Sequence, residues 1–409
     1  MSKWEWKKLK DVCVFIGDGD WIESKDQSSK GIRLIQTGNI GNGIYLDKKE
    51  RSHYISETTF CRLHCTEIFP GDCLISRLPE PIGRACVIPD IAEKMITAVD
   101  CTIVRFCEFF APNFFIYYAQ SEKYFSDVKS ESTGATRKRI SRKNLENIKI
   151  PIPPLSEQKR IVKFLDEEFS KIDTLKINAE TNLKNAKELF ETTLEKELNP
   201  LSRHSERSEE SSAELPSGWE LKALGDVCEI LSDLINPTEE KYLNMYHVGG
   251  ANIESETGRI IDLKTSEEEG LTSGKFVFDD SVVLYNKIRP YLKKVARPNF
   301  AGICSADMYP LSPKNGMLKD FLYYILIASD FTDYAIKHSD RAGMPKLNRK
   351  ALFVYEFPLP PLSVQKEIVA RLDKLSENVK RFEANYKQII ANCDELKKSI
   401  LKKTFEGES

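Results

Sequence analysis

The chain says the same thing twice, and that constrains its fold more than any other feature. Trp4-Glu5-Trp6-Lys7-Lys8-Leu9-Lys10-Asp11-Val12-Cys13 returns as Trp219-Glu220-Leu221-Lys222-Ala223-Leu224-Gly225-Asp226-Val227-Cys228, with seven of ten positions identical. Pro151-Ile152-Pro153-Pro154-Leu155-Ser156-Glu157-Gln158-Lys159 returns as Pro358-Leu359-Pro360-Pro361-Leu362-Ser363-Val364-Gln365-Lys366. Extended through Asp166 and Asp373, that match holds eleven identities in sixteen. The period is far longer than the roughly 20 to 50 residues of a solenoid repeat. A duplicated globular unit with a duplicated connector is therefore expected, in a pseudo-two-fold symmetric molecule suited to a two-part target.

Each half runs in the same order. A mixed region of about 150 residues, the size of an ordinary domain, is followed by a proline-rich stop and then a long apolar periodicity. β-Branched and aromatic runs between Gly, Asp and Pro breakers predict strands at Ile32 to Gln36, Cys73 to Ser76, Ala85 to Ile88 and Cys101 to Phe106. In the second half Lys275 to Phe278, Val282 to Tyr285 and a run ending at Ala296 read likewise. Helices are expected over Asn113 to Lys123 and Lys319 to Ile336, which makes each unit α+β.

Proline blocks a helix from starting before Pro154 and Pro361, and Ser156 and Ser363 are suitable N-caps. The second periodicity runs Leu372, Leu375, Val379, Phe382, Tyr386, Ile389, Cys393, Leu396, Ile400, with spacings of three and four. The first runs Ile161, Leu165, Phe169, Ile172, Leu175, Ala179, Leu183, Ala186, Phe190, Leu194, Leu198. These are coiled-coil seams, and each needs a partner. Antiparallel pairing within the chain supplies one. The predicted organisation is a globular unit over 1–155, a helix over 156–200, a polar Ser-rich linker over 201–217, a second unit over 218–362 and a second helix over 363–409.

Apolar content of 41% and charged content of 30% describe an ordinary soluble protein. No apolar stretch approaches the roughly 20 residues of a membrane helix. The start Met1-Ser2-Lys3-Trp4 lacks the apolar core of a secretory signal, so a cytoplasmic location is expected. Ten irregularly spaced cysteines then read as reduced thiols. Cys61-x-x-His64-Cys65 supplies half of a zinc site, but no second ligand pair stands at the usual spacing and the other half lacks the cluster. No metal is expected.

Motifs for catalysis are missing: no Gly-x-x-x-x-Gly-Lys loop, no Gly-x-Ser-x-Gly elbow, no Asn-Pro-Pro-aromatic motif. Gly17-Asp18-Gly19-Asp20 has the oxygens of a cation loop without its closing Glu, and reads as a turn. Glu157-x-Lys159 lacks the Asp of a nuclease triad. A net charge of −2 places the interest in local patches. Arg137-Lys138-Arg139-Ile140-Ser141-Arg142-Lys143 holds five cations in seven residues. The equivalent run from Arg341 to Lys350 is basic throughout, and Ser281 to Arg297 carries five cations with Tyr285, Asn286 and Tyr291 interleaved. Phosphate contacts call for Lys and Arg at this density. The candidate DNA-binding residues are Arg77, Arg84, Arg137, Lys138, Arg139, Arg142, Lys287, Arg289, Tyr291, Lys293, Lys294 and Lys346.

Gly134-Ala135-Thr136, then Ile140, Leu145 and Ile148, then Pro151 to Val162, resemble the end of a target recognition domain and the start of its spacer helix. The family with that junction is the specificity subunit of type I restriction–modification enzymes. Pro358 to Val369 resembles the second junction, with Val364 where Glu usually stands. Asn39-Ile40, Asn252-Ile253 and Gly71-Asp72 resemble further landmarks, while the second half has Asp279-Asp280 where Gly-Asp is typical. The resemblance implies a non-catalytic subunit in which two target recognition domains, joined by antiparallel coiled-coil helices, each bind half of a bipartite DNA sequence. Its partners would be double-stranded DNA, two DNA adenine methyltransferase subunits and ATP-dependent restriction/translocase subunits. S-adenosylmethionine, ATP and Mg would belong to those partners, with no cofactor in this chain. A modification-only complex and a coiled-coil scaffold without a DNA role are the alternatives.

Overall fold

A computed structural model describes residues 4–134, 138–200, 215–231, 233–340 and 343–407. Arg137, Ala135-Thr136 and positions 201–214 of the expected linker lie outside the described residues. The chain divides into two compact units, residues 1–180 with 387–409 and residues 181–386.

In the first unit, strand Glu5–Lys8 pairs antiparallel with Lys149–Ile152, so the repeated opening segment lies beside the strand that leads into the junction. The second unit repeats this, Glu220–Ala223 against Glu356–Leu359. Each unit has a four-stranded antiparallel sheet in one order: Cys13–Asp18, Cys101–Phe106, Cys73–Ser76, Ala85–Val87 in the first; Cys228–Ile230, Met308–Pro313, Val283–Asn286, Val295–Ala296 in the second. A five-stranded sheet is built on a shared parallel pair, Ile32–Ile35 with Met95–Thr97 and Tyr246–Val248 with Gly302–Ser305. The fifth strand differs. Gln27–Ser28 joins the edge beside His53–Ile55, whereas Leu234–Ile235 joins the opposite edge, beside Lys275–Phe278.

Both expected helices are broken at the same place. Pro112–Tyr118 gives way to Glu122–Ser130, with Ser121 capping the second helix through Tyr124 N, and Lys319–Ile327 gives way to Ser329–Lys337 at an extended Ala328. Their apolar faces fill the cores, Phe114, Phe115 and Tyr124 in one unit and Phe321, Leu322 and Phe331 in the other.

The long helices span Leu155–Leu198 and Leu362–Glu406, each about 65 Å at 1.5 Å per residue. Their first turns are closed by proline carbonyls, Pro154 O accepting from Gln158 N and Pro361 O from Gln365 N, both at 3.0 Å. Ser156 and Ser363 therefore sit inside the helices and do not cap them. Within the first unit the helical segments run antiparallel, Lys397 reaching Asp173 and Lys176 reaching Asp394. The second unit shows the same sense through Arg371–Glu197 and Lys187–Glu383. Each core takes apolar side chains from both helices: Ile161, Leu165, Leu401 and Phe405 in the first, Leu194, Leu198, Ile368 and Leu372 in the second.

Three expected seam residues are not covered. Leu175, Phe382 and Leu396 are 55%, 41% and 49% exposed. Cys393 of the expected seam is buried, but beyond it the second helix buries Leu401 and Phe405 rather than Leu396, a stripe offset by about one residue from the spacing. No described helix is long and apolar enough to cross a membrane.

Candidate nucleic-acid interface

Three elements meet at one corner of each unit. A central strand ends in a cation, Arg77 after Cys73–Ser76 and Lys287 after Val283–Asn286. The backbone N–H of that cation donates to an aspartate carbonyl, Asp100 O at 2.9 Å and Asp307 O at 3.1 Å. Its carbonyl accepts from the second strand of a hairpin, Ile140 N at 3.3 Å and Leu347 N at 3.0 Å. The hairpins pair Ser132–Thr133 with Arg139–Ile140 and Ser339–Asp340 with Lys346–Leu347. Short helices follow at once, capped by Ser141 and Asn348 side chains, and bring Arg142 and Arg349 to the corner.

These bonds fix residue equivalences that the cation runs alone leave unmatched. Arg77 corresponds to Lys287, Arg139 to Lys346 and Arg142 to Arg349. Ser76 N bonds to Arg84 O and Asn286 N to Lys294 O, so Arg84 corresponds to Lys294.

The sequence-predicted residues separate into two groups. Arg84 is buried and spends its guanidinium on backbone carbonyls: Ile40 at 2.7 Å, Thr37 at 2.8 Å, Leu78 at 2.9 Å and Pro81 at 3.1 Å. Lys294 reaches the carbonyl of Gly250, the counterpart of Thr37. Lys293 is turned onto the first long helix, 3.2 Å from Glu191. These three are struts, because a cation turned inward onto backbone carbonyls or the long helix has little to offer a phosphate. Arg77 and Lys287 are buried as well, donating to Val99 O and Ala306 O. Burial lowers the pKa of both, and Lys346 and Arg349 push Lys287 further down.

Lys138, Arg139, Arg142, Arg289 and Tyr291 are exposed, with Lys346 half-buried beside them. Arg289 stands in the left-handed region at φ 52°, held by its N–H to Pro345 O at 2.8 Å. Arg137 lies outside the described residues.

Acidic residues complete the corner, and the basic runs alone do not mark them. Arg139 lies 2.9 Å from Asp100, and Lys346 lies 3.9 Å from Asp307. In the first unit Asp18 also meets Arg77 at 3.1 Å and Arg142 at 3.3 Å. Asp18 is thus the end of a strand and an ion-pair partner, not the turn expected of Gly17-Asp18-Gly19-Asp20. Its neighbour Gly19 has no room for a side chain, since a Cβ there would lie 2.3 Å from Ala98 O. Glu157 pairs with Arg160 at 2.7 Å. Among the described residues no three His, Cys, Asp or Glu side chains are grouped to hold a metal.

The junction motif also has a physical role. Gln158 is fully buried, accepts from Ala111 N at 2.7 Å, and donates to Phe109 O at 3.2 Å and Pro153 O at 2.8 Å. Gln365 repeats the arrangement with Leu318 N at 2.9 Å, Gly316 O at 2.8 Å and Pro360 O at 2.9 Å. A second tie follows two turns on, where Tyr117 donates to Asp166 at 2.5 Å and Tyr324 to Asp373 at 2.6 Å. The landmark asparagines pin loops: Asn39 bonds Gln36 N and Leu46 O, and Asn252 bonds Gly249 N and Ile261 O.

Known proteins share this plan. The sequence profile of the type I restriction modification DNA specificity domain matches residues 1–185 and again 216–391. The EcoDI specificity subunit of Escherichia coli is 30% identical over 69% of this chain and 67% of its own length. The StySPI specificity subunit of Salmonella potsdam is 25% identical over 92% and 82%. Among solved structures, a chain from work on assembly and conformational transition of the type I R-M system superposes with TM-score 0.74 at 19% identity, over 99% of this chain and 98% of that one. The HsdS subunit of Thermoanaerobacter tengcongensis gives TM-score 0.59 at 20% identity, over 100% and 98%. With the profile matched twice and the same corner built twice, the chain belongs to the family of type I restriction–modification specificity subunits.

Proposed function

We propose that this chain is the DNA-reading subunit of a type I restriction–modification complex, each unit binding one half of a bipartite duplex sequence. The duplicated cationic corner carries the reading. Exposed cations beside a hairpin suit phosphate contact, and an exposed Arg289 or Tyr291 suits the edge or face of a base.

The chain acts without chemistry of its own, in the cytoplasm. Two DNA adenine methyltransferase subunits dock on the helices, and ATP-dependent restriction/translocase subunits join that core. S-adenosylmethionine, ATP and Mg are used by those partners. Apolar side chains exposed on the long helices support docking there: Phe164, Leu175, Ile177 and Leu189 on the first, Phe382 and Leu396 on the second. The paired helices set the unread gap between the half-sites, because half-site spacing follows from where the readers are held.

Methylome sequencing of cells that express this chain with its modification subunits tests the reading. A methylated motif of two short blocks separated by unread bases is expected. A single continuous motif, or methylation unaffected by deletion of this chain, contradicts it.

A further inference from the structure

We propose that Asp100 and Asp307 set how tightly the two faces hold DNA of any sequence, by competing with phosphate for the hairpin cations. The inference rests on the DNA-reading role proposed above. Both acids occupy the same place, fixed by their own backbones: each carbonyl is bonded by the N–H of the buried cation that ends the central strand. Each carboxylate faces the cation at the base of the hairpin, Arg139 at 2.9 Å and Lys346 at 3.9 Å.

Neither pair is sealed from solvent. Side-chain exposure is 44% and 32% for Arg139 and Asp100, and 39% and 59% for Lys346 and Asp307. Pairs so exposed contribute little to folding, although the same two acids favour the charged forms of the buried Arg77 and Lys287. Their effect on a nucleic acid is larger. Nonspecific binding is almost wholly the attraction of Lys and Arg for phosphate, and a carboxylate beside the cation opposes it on any sequence. The penalty falls alike on every sequence, so it weakens the grip on DNA as a whole and leaves the preference between sequences to the base contacts.

The test uses the full chain and fluorescence anisotropy with a noncognate duplex across a salt series. Asp100→Asn and Asp307→Asn keep the shape of the side chain and remove its charge. Each is expected to tighten noncognate binding about two- to fivefold, the usual worth of an exposed pair, and cognate binding by the same factor. Asp100→Glu keeps the charge and is expected to restore noncognate binding to the wild-type level. Arg139→Gln and Lys346→Gln, measured alongside, are expected to weaken binding to both duplexes. If those cation variants weaken binding while the Asn variants leave noncognate binding unchanged or weaker, the acids are structural and the proposal is overturned. If the cation variants bind as the wild type does, the corners are not the DNA faces and the underlying reading fails with it.

Discussion

The two units share a frame and differ in what they mount on it. Six residues separate Arg77 from Arg84, and six separate Lys287 from Lys294. Gly83 and Lys293, at the same position in these loops, both adopt positive φ, 87° and 46°. The first loop carries Pro79, Glu80 and Pro81, while the second presents Arg289 and Tyr291 to solvent. Lysine in the left-handed region is strained where glycine is not, and in the second unit backbone bonds from Lys293 N to Pro290 O at 2.9 Å and from Val295 N to Lys293 O at 3.1 Å hold it there. The acids differ too. Asp18 joins Arg77 and Arg142 in the first unit, so its cations are partly neutralised, while Lys287 turns to a carbonyl and the ring of Tyr309. Equivalent bonds therefore hold the two corners, and unequal side chains are mounted on them.

If the frames are equivalent, the buried glutamines should matter most and matter equally. Gln158→Ala and Gln365→Ala each strand three backbone groups, for a loss on the order of 4 kcal/mol. Chemical denaturation or hydrogen exchange of each unit would measure it. A large loss in one half and none in the other would break the equivalence.

The faces should instead be unequal. Replacing Arg289, Lys346 and Arg349 by Gln is expected to weaken nonspecific duplex binding about a hundredfold at physiological salt. The salt slope would flatten by up to about 0.9 per lost contact. The same change at Lys138, Arg139 and Arg142 should cost less, because Asp100 and Asp18 already offset two of those charges. Equal losses would show that the acids do not distinguish the units.

How much of this was legible in the chain depends on reach. Strands Cys73–Ser76, Cys101–Phe106 and Lys275–Phe278 fall where alternation and breakers place them, since those signals are local. The junction was recognisable as a motif, but the work of Gln158 was not. Its partner Ala111 lies 47 residues away. Cation density located the corners yet could not say that Arg84 is consumed by Ile40, 44 residues back. A search for basic runs also discards acids. Aligning the halves at Asp100 and Asp307 would have recovered the pair. The helical seam was legible over most of its length, Ile161, Leu165, Phe169, Ile172, Leu194, Leu198, Leu372 and Cys393 being buried. It slipped near the end of the second helix, where packing chose a neighbouring stripe.

The smallest expected contrast is in pH. Burial lowers the pKa of His247 despite its 2.8 Å contact with Glu269. Its unfolded form protonates first, so stability present above about 6.5 falls as pH drops through that value. Burial raises Asp20 to about 6. A carboxyl raised above its unfolded value is protonated first in the folded state, so acidification from pH 7 to 5 adds stability. Hydrogen exchange should show the first unit gaining about 1 kcal/mol and the second losing stability. Asp20→Asn and His247→Leu should each abolish the change in their own unit.

The central claim is that the two units read independently, and exchanging one reader tests it most directly. Residues 219–350 are replaced by the equivalent segment of a related specificity subunit, and the methylome is sequenced with the same modification subunits. One block of the methylated motif should change while the other block stays as it was. A change in both blocks, or a motif left unaltered, would contradict the account.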